Sequence, residues 1–300
     1  MDRMTSRDLF GLPVRLTDLL LPGTCLVFAL LAALFPSRVQ DRPAVIMEMV
    51  LCVVLYPVVN VLARRARRHV PRFILRTASV QILIFFVYRA SLRLVHVLVP
   101  RWFDPEIIRF EAAVFGGQPT IWLQQFTRPW LTEWLMFSYV CYVVIYPILS
   151  AILYFRHDED KNEEYLFYVS LVVVLCTFGF LLLPVASPAR GIGGLRFTVP
   201  LEGHLFAGIS EYIRIHFHRP GGAFPSIHCG AATIMWWSAY RFSRPSFYVL
   251  APIILSLYVS TVYGRFHYVS DVFAGIAAAF LAMVLGNLLI KVWNRDRVKS

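Results

Sequence analysis

The chain has 300 residues, 58% of them apolar and only 16% charged, where an ordinary soluble domain carries roughly 25% charge. That balance excludes a soluble domain. The net charge of +11 does not mark a nucleic-acid surface, because the basic residues collect at the ends of apolar runs, as they do on the cytoplasmic flanks of membrane helices.

Residues 1–18 are a mixed lead-in with Arg3, Arg7 and Arg15, and no cleavable signal peptide is evident. Apolar runs predict spans at 19–35 and 44–62, then a basic cluster, Arg64, Arg65, Arg67, Arg68 and His69, that marks the cytoplasmic side. A third span is expected over 73–99. It carries Arg89, Arg93 and His96 at i, i+4, i+7, which would put them on one face, either meeting an interior partner or a lipid phosphate or snorkelling to the interface.

Residues 100–130 read as extracytoplasmic. A short amphipathic piece, 106–115, is broken by Gly116-Gly117-Gln118-Pro119, and Trp102, Trp122, Trp130 and Trp134 suit an interfacial belt. Glu111 and Glu133 are expected at the interface or opposite Arg89 and Arg93. A fourth span (131–155) and a fifth (165–183) flank a charged loop. The fifth ends in Pro184-Val185-Ala186-Ser187-Pro188-Ala189-Arg190, where prolines stop the helix. A long loop to Arg219 holds His216-x-His218, read as surface histidines because no third ligand has metal-site spacing. Spans at 225–240, 246–263 and 267–292 complete the count, and a basic tail follows. The five cysteines show no metal or redox spacing; Cys25, Cys52, Cys141 and Cys176 lie in apolar runs, and Cys229 is expected to pack beside His228.

Two pieces carry chemistry. Gly221-Gly222-Ala223-Phe224-Pro225-Ser226-Ile227-His228 opens one helix, where free backbone N–H groups favour an anion. Arg265-Phe266-His267-Tyr268-Val269-Ser270-Asp271 opens another, with His267 and Asp271 four apart, so that the carboxylate can orient the imidazole. With the N-terminus inside, Arg190, His228 and His267 all emerge on the extracytoplasmic side. His267 is then a candidate nucleophile toward phosphorus, Asp271 its partner and His228 the acid and base. Arg190, Ser226 and Arg265 are the candidate phosphate-binding residues.

Pro225-Ser226-Ile227-His228 and His267-x3-Asp271 resemble the second and third signature motifs of the type 2 phosphatidic acid phosphatase/haloperoxidase superfamily. The Pro184–Arg190 turn, Phe224, His267-Tyr268, Phe115-Gly116-Gly117-Gln118-Pro119-Thr120 and Trp122-Leu123-Gln124 are similar to its membrane branch that includes inositol phosphorylceramide synthase-like proteins. The likeness covers about residues 73–290. It implies a six-helix membrane core, an outward-facing site, a phosphohistidine-type intermediate, no metal or other cofactor, and a lipid phosphate substrate. The first signature, a Lys followed by Arg-Pro, is not clearly present, Ile227 replaces a Gly, and Thr261 stands where the third motif has an Arg.

The expectation is an all-α polytopic membrane bundle of about eight transmembrane helices: a pair within 1–72 and a six-helix core within 73–300. Its partners would be the lipid bilayer and a phospholipid or lipid phosphate, not nucleic acid. Its location would be a bacterial inner membrane. Phosphatase, headgroup transferase and non-catalytic lipid transporter or scaffold remain as alternatives.

Overall fold

The computed structural model describes residues 7–9, 12–216 and 219–295. Arg3, His218 and the basic tail beyond residue 295 lie outside them. A short antiparallel pair, β1 (Arg7–Leu9) and β2 (Leu12–Val14), precedes an otherwise helical chain. The helices are α1 (Leu16–Leu34), α2 (Arg42–Arg65), α3 (His69–Arg93), α4 (Asp104–Phe115), the single turn α5 (Pro119–Trp122), α6 (Pro129–Arg156), α7 (Glu159–Leu182), α8 (Leu205–His216), α9 (Ile227–Phe242), α10 (Arg244–Tyr263) and α11 (Val269–Arg295).

Among the described residues, seven helices are long and apolar enough to cross a membrane: α1, α2, α3, α6, α7, α10 and α11. The eighth expected span is α9, which has 16 residues and at 1.5 Å per residue is about 24 Å long. The fold is therefore a polytopic helical bundle, with apolar side chains such as Leu26, Leu30, Val54, Phe280 and Val284 on its outer faces. Trp122 and Trp130 are also exposed.

The bundle is built around α7. Beyond its charged first turns it is apolar on every side, and 78% of its apolar window is buried. Helices α1, α3, α6, α9 and α11 pack around it. Asp158 starts it by accepting the Asp160 N–H at 3.1 Å. Proline stands in the first turn of α2, α4, α6 and α10, where a missing N–H costs nothing. Gly116, at φ 72°, ends α4 in the left-handed conformation that glycine adopts freely.

The third span is shorter than the periodicity predicts. α3 stops at Arg93, and Leu94 turns the chain, its N–H bonding the carbonyls of Ala90 and Ser91. His96 therefore leaves the face that holds Arg89 and Arg93. It packs edge-on to Trp102 at 4.3 Å between centroids, with Nδ1 bonded to the Val99 carbonyl at 3.1 Å. Arg89 lies about one turn from the helix end, not deep in the span. Both arginines meet Glu48 of α2, at 3.4 and 3.3 Å, so neither Glu111 nor Glu133 is their partner. The other end of α3 carries a buried ion network. Arg76 binds Glu163 through two hydrogen bonds of 2.8 and 2.6 Å, and its third nitrogen reaches Asp18 at 2.6 Å, Asn60 at 2.7 Å and Tyr56 at 3.0 Å. One guanidinium thus joins α1, α2, α3 and α7.

Candidate active site

Two chain reversals meet at one end of the bundle. The turn after α10 puts Arg265 at φ 66°, and the segment before α9 puts Gly221 at φ 110° with Val95 in the space a side chain would need. The α9 and α11 backbones then approach closely. A Cβ on Gly275 would collide with the Ser226 carbonyl, and one on Gly230 would press on the Gly275 carbonyl at 3.0 Å. Small residues at such crossings let helices touch backbone to backbone. The Ser226 N–H completes the junction by bonding the Asp271 carbonyl at 2.9 Å.

This approach brings the two histidines together. His267 is 1% exposed and precedes the first turn of α11. Its Nδ1 lies 2.9 Å from the Ala223 carbonyl and 3.4 Å from Asp271 Oδ2. A carbonyl can only accept, so Nδ1 carries the proton and the neutral ring keeps its lone pair on Nε2. That nitrogen faces His228 Nδ1 at 3.4 Å. The rings are 5.5 Å apart and inclined at 64°. His228 is half-buried, with Tyr139 and Tyr142 of α6 at 4.9 and 5.1 Å between centroids. Asp271 is fully buried, and its Oδ2 accepts the Tyr268 N–H at 2.8 Å. It fixes the turn that carries His267 and stands second to Ala223 at the ring.

The remaining candidates are placed differently from one another. Ser226 caps α9, its hydroxyl accepting the Cys229 N–H at 3.3 Å. Arg190 is exposed in a helical turn, Pro188–Arg190, tied to the approach to the third motif by the Ala189 N–H to Arg265 carbonyl bond of 3.0 Å. Arg265 points its guanidinium at the Phe197 ring, 4.4 Å away, and donates to the Val199 carbonyl. Cys229 is buried, its sulfur 3.8 Å from the Thr261 hydroxyl, which suits packing. His216 bonds its own helix through the Tyr212 carbonyl, and among the described residues no group of three metal-ligating side chains occurs.

Two buried carboxylates support the site, and their roles are not apparent from the sequence. Asp104 accepts the Ala186 and Ser187 N–H groups at 2.8 and 3.2 Å and the Tyr268 hydroxyl at 3.0 Å. It holds the Pro184–Arg190 turn against the third motif. Glu111 accepts the N–H and hydroxyl of Ser270 at 2.7 and 2.9 Å, capping α11. Burial raises both carboxyls above their ordinary range, opposed by these donors, and burial beside Asp104 raises the Tyr268 phenol. The only hint in sequence is Asp104-Pro105, a helix-start pair. Glu133 has a similar role elsewhere: it accepts the Phe206 and Ala207 N–H groups at 3.0 and 3.2 Å and starts α8.

Residues 105–285, 181 of the 300, match the model of the PAP2 superfamily. The chain belongs to the PAP2 superfamily. No curated protein and no solved structure matches it. The PAP2 match begins in α4 and ends in α11, so it takes in both histidines, Asp271 and the Pro188–Arg190 turn. Helices α1 to α3 precede it. Members of the superfamily are generally phosphatases or phosphotransferases, and a pair of imidazoles at the entrance to two helices is suited to that chemistry.

Proposed function

We propose that this PAP2 superfamily member is a lipid phosphatase or phosphotransferase working through a phosphohistidine at His267, on the outward side of the membrane. The observation that carries this reading is the His267–His228 pair, with Nδ1 of His267 committed to a carbonyl and Nε2 aimed at the second ring. The Nε2 lone pair attacks phosphorus, the bond from phosphorus to the leaving oxygen breaks, and protonated His228 gives that oxygen its proton. Neutral His228 then takes a proton from water or a lipid alcohol. The oxygen attacks phosphorus, and the P–N bond breaks.

In the free protein the two rings hydrogen-bond each other, so the phosphoryl group takes the place of that bond when it binds. The first-turn N–H groups of Ile227 and His228 offer it donors. Arg190, carried on the adjoining turn, adds positive charge. Asp271 stabilises the imidazolium formed at His267. A lipid substrate is supported by an apolar cavity of about 300 Å³ beside the site, lined by Phe103, Ile107, Phe110, Leu183, Val185 and Phe224. Headgroup transfer, as in inositol phosphorylceramide synthase-like proteins, is the same chemistry with an alcohol in place of water.

The test uses the purified protein in liposomes with labelled phosphatidate, a polyprenyl diphosphate and a glycerophospholipid donor with an acceptor alcohol. The expected result is label on the chain that is lost in acid and kept in alkali. His267→Ala should abolish both label and turnover, and His228→Ala should lower turnover by about 10²–10⁴-fold. Full activity in both variants overturns the reading, and headgroup transfer without phosphate release assigns the transferase.

A further inference from the structure

The helices that precede the PAP2 match leave a groove that the proposed reaction does not use. α2 is the least covered of the seven long helices, with 22% of its apolar window buried, and it packs chiefly on α1 and α3. Between α2 and α3 lies a cavity of about 420 Å³. Leu51, Leu55 and Val59 line one wall, and Ile74, Ala78 and Ile82 the other. Each set recurs at every fourth residue, so each lies along one face of its helix and the cavity is a channel. From Glu48 to Val59 it runs about 16 Å at 1.5 Å per residue. A long, apolar channel open to the bilayer has the form of a lipid tail.

Its outer end is charged. Glu48, which closes that end, meets Arg89 at 3.4 Å and Arg93 at 3.3 Å through the same oxygen, Oε1. Two guanidiniums therefore share one carboxylate, and no second carboxylate meets either of them among the described residues. Arg93 is buried and offsets Glu48, whereas the Arg89 side chain is 44% exposed. Arg89 lies four residues, about 6 Å, from the end of α3, a depth from which its stem brings the guanidinium to the headgroups. A surplus cation at the mouth of an apolar channel complements a lipid whose headgroup carries net negative charge. A second copy of the chain would bring the same surplus to a symmetric contact, where like charges oppose each other.

We propose that the groove between α2 and α3 holds one acyl chain of an anionic membrane phospholipid, with its phosphate on Arg89. None of the groove's wall residues lies in the PAP2 match, and the inference does not depend on the reaction at His267.

The experiment adds phosphatidylglycerol or phosphatidylcholine of the same chains to the delipidated full-length protein in detergent, and follows binding by native mass spectrometry and Tm. Phosphatidylglycerol should bind more tightly and raise Tm more. Arg89→Gln should reduce that preference about fivefold, the effect of one cation at a lipid surface, with Tm of the lipid-free protein unchanged. Glu48→Gln removes the competing carboxylate and should strengthen phosphatidylglycerol binding, a gain that damage to the fold would not produce. Ala78→Phe fills the channel and should weaken both lipids. His267→Ala should bind as the parent does, which separates this groove from the reacting site. The inference is overturned if the two lipids bind equally, if Arg89→Gln keeps the preference, if His267→Ala abolishes it, or if Ala78→Phe breaks a dimer and leaves lipid binding intact.

Discussion

At His267 the acceptor nearest in sequence is not the one nearest in space. The i, i+4 spacing makes Asp271 the expected partner of Nδ1. The ring, however, lies just before α11, and Ala223, 44 residues away, supplies the shorter contact, 2.9 Å against 3.4 Å. This difference has a kinetic consequence. Where a carboxylate alone fixes the tautomer, its amide replacement costs about 10⁴-fold in kcat. Here the carbonyl keeps the tautomer, so Asp271→Asn should lose only about 10–10²-fold, through weaker stabilisation of the imidazolium; kcat measured beside His267→Ala checks it. The two histidines were legible because their chemistry follows from residue type and helix-start position. Asp104 and Glu111 were not, because a carboxylate's role at a site depends on which N–H groups the fold brings to it. Ser226 sits as its sequence position indicates: at the start of α9 its hydroxyl oxygen accepts the Cys229 N–H and keeps its O–H to donate.

The crossing of α9 and α11 does more for the site than any single contact. Gly230 and Gly275 remove the side chains that would hold the backbones apart, and this sets the 3.4 Å between ring nitrogens. Gly275→Val should overpack the crossing at a cost of about 1–3 kcal/mol. The displacement should lower kcat by roughly 10²-fold with a smaller change in KM, read in protein that still melts cooperatively. Apolar run lengths located the long helices to within a few residues, except that α7 begins at Glu159, six residues before the expected start, in a charged stretch that the sequence presents as a loop. They overran α3 because residues 94–99 remain apolar after the helix has ended, and apolarity alone does not report a turn. The same overrun placed His96 on a face it does not occupy.

Across the whole molecule, the end opposite the site is fastened by Arg76. Its partners Asp18 and Glu163 are 58 and 87 residues away, and no local pattern announces such a meeting. Removing one member of a buried pair leaves the other uncompensated, at about 3–5 kcal/mol. Glu163→Leu should therefore lower Tm and yield sharply, and adding Arg76→Met should restore part of both; scanning the three variants in one detergent checks this. A site variant such as His267→Ala should leave Tm near that of the parent.

For the proposed reaction, the brevity of α9 bears on the depth of the chemistry. Its rise is about 6 Å less than the ~30 Å of a bilayer's oily interior. The non-helical stretch Gly221, Gly222 and Ala223 is buried in protein, a condition under which irregular backbone is tolerated at such levels. If α9 starts level with its neighbours at the opposite surface, a lipid phosphate of the proposed kind has to sink below the surrounding headgroups to meet the imidazoles. There the medium is drier, and a fixed cation holds the phosphate oxygens more strongly than at the open surface.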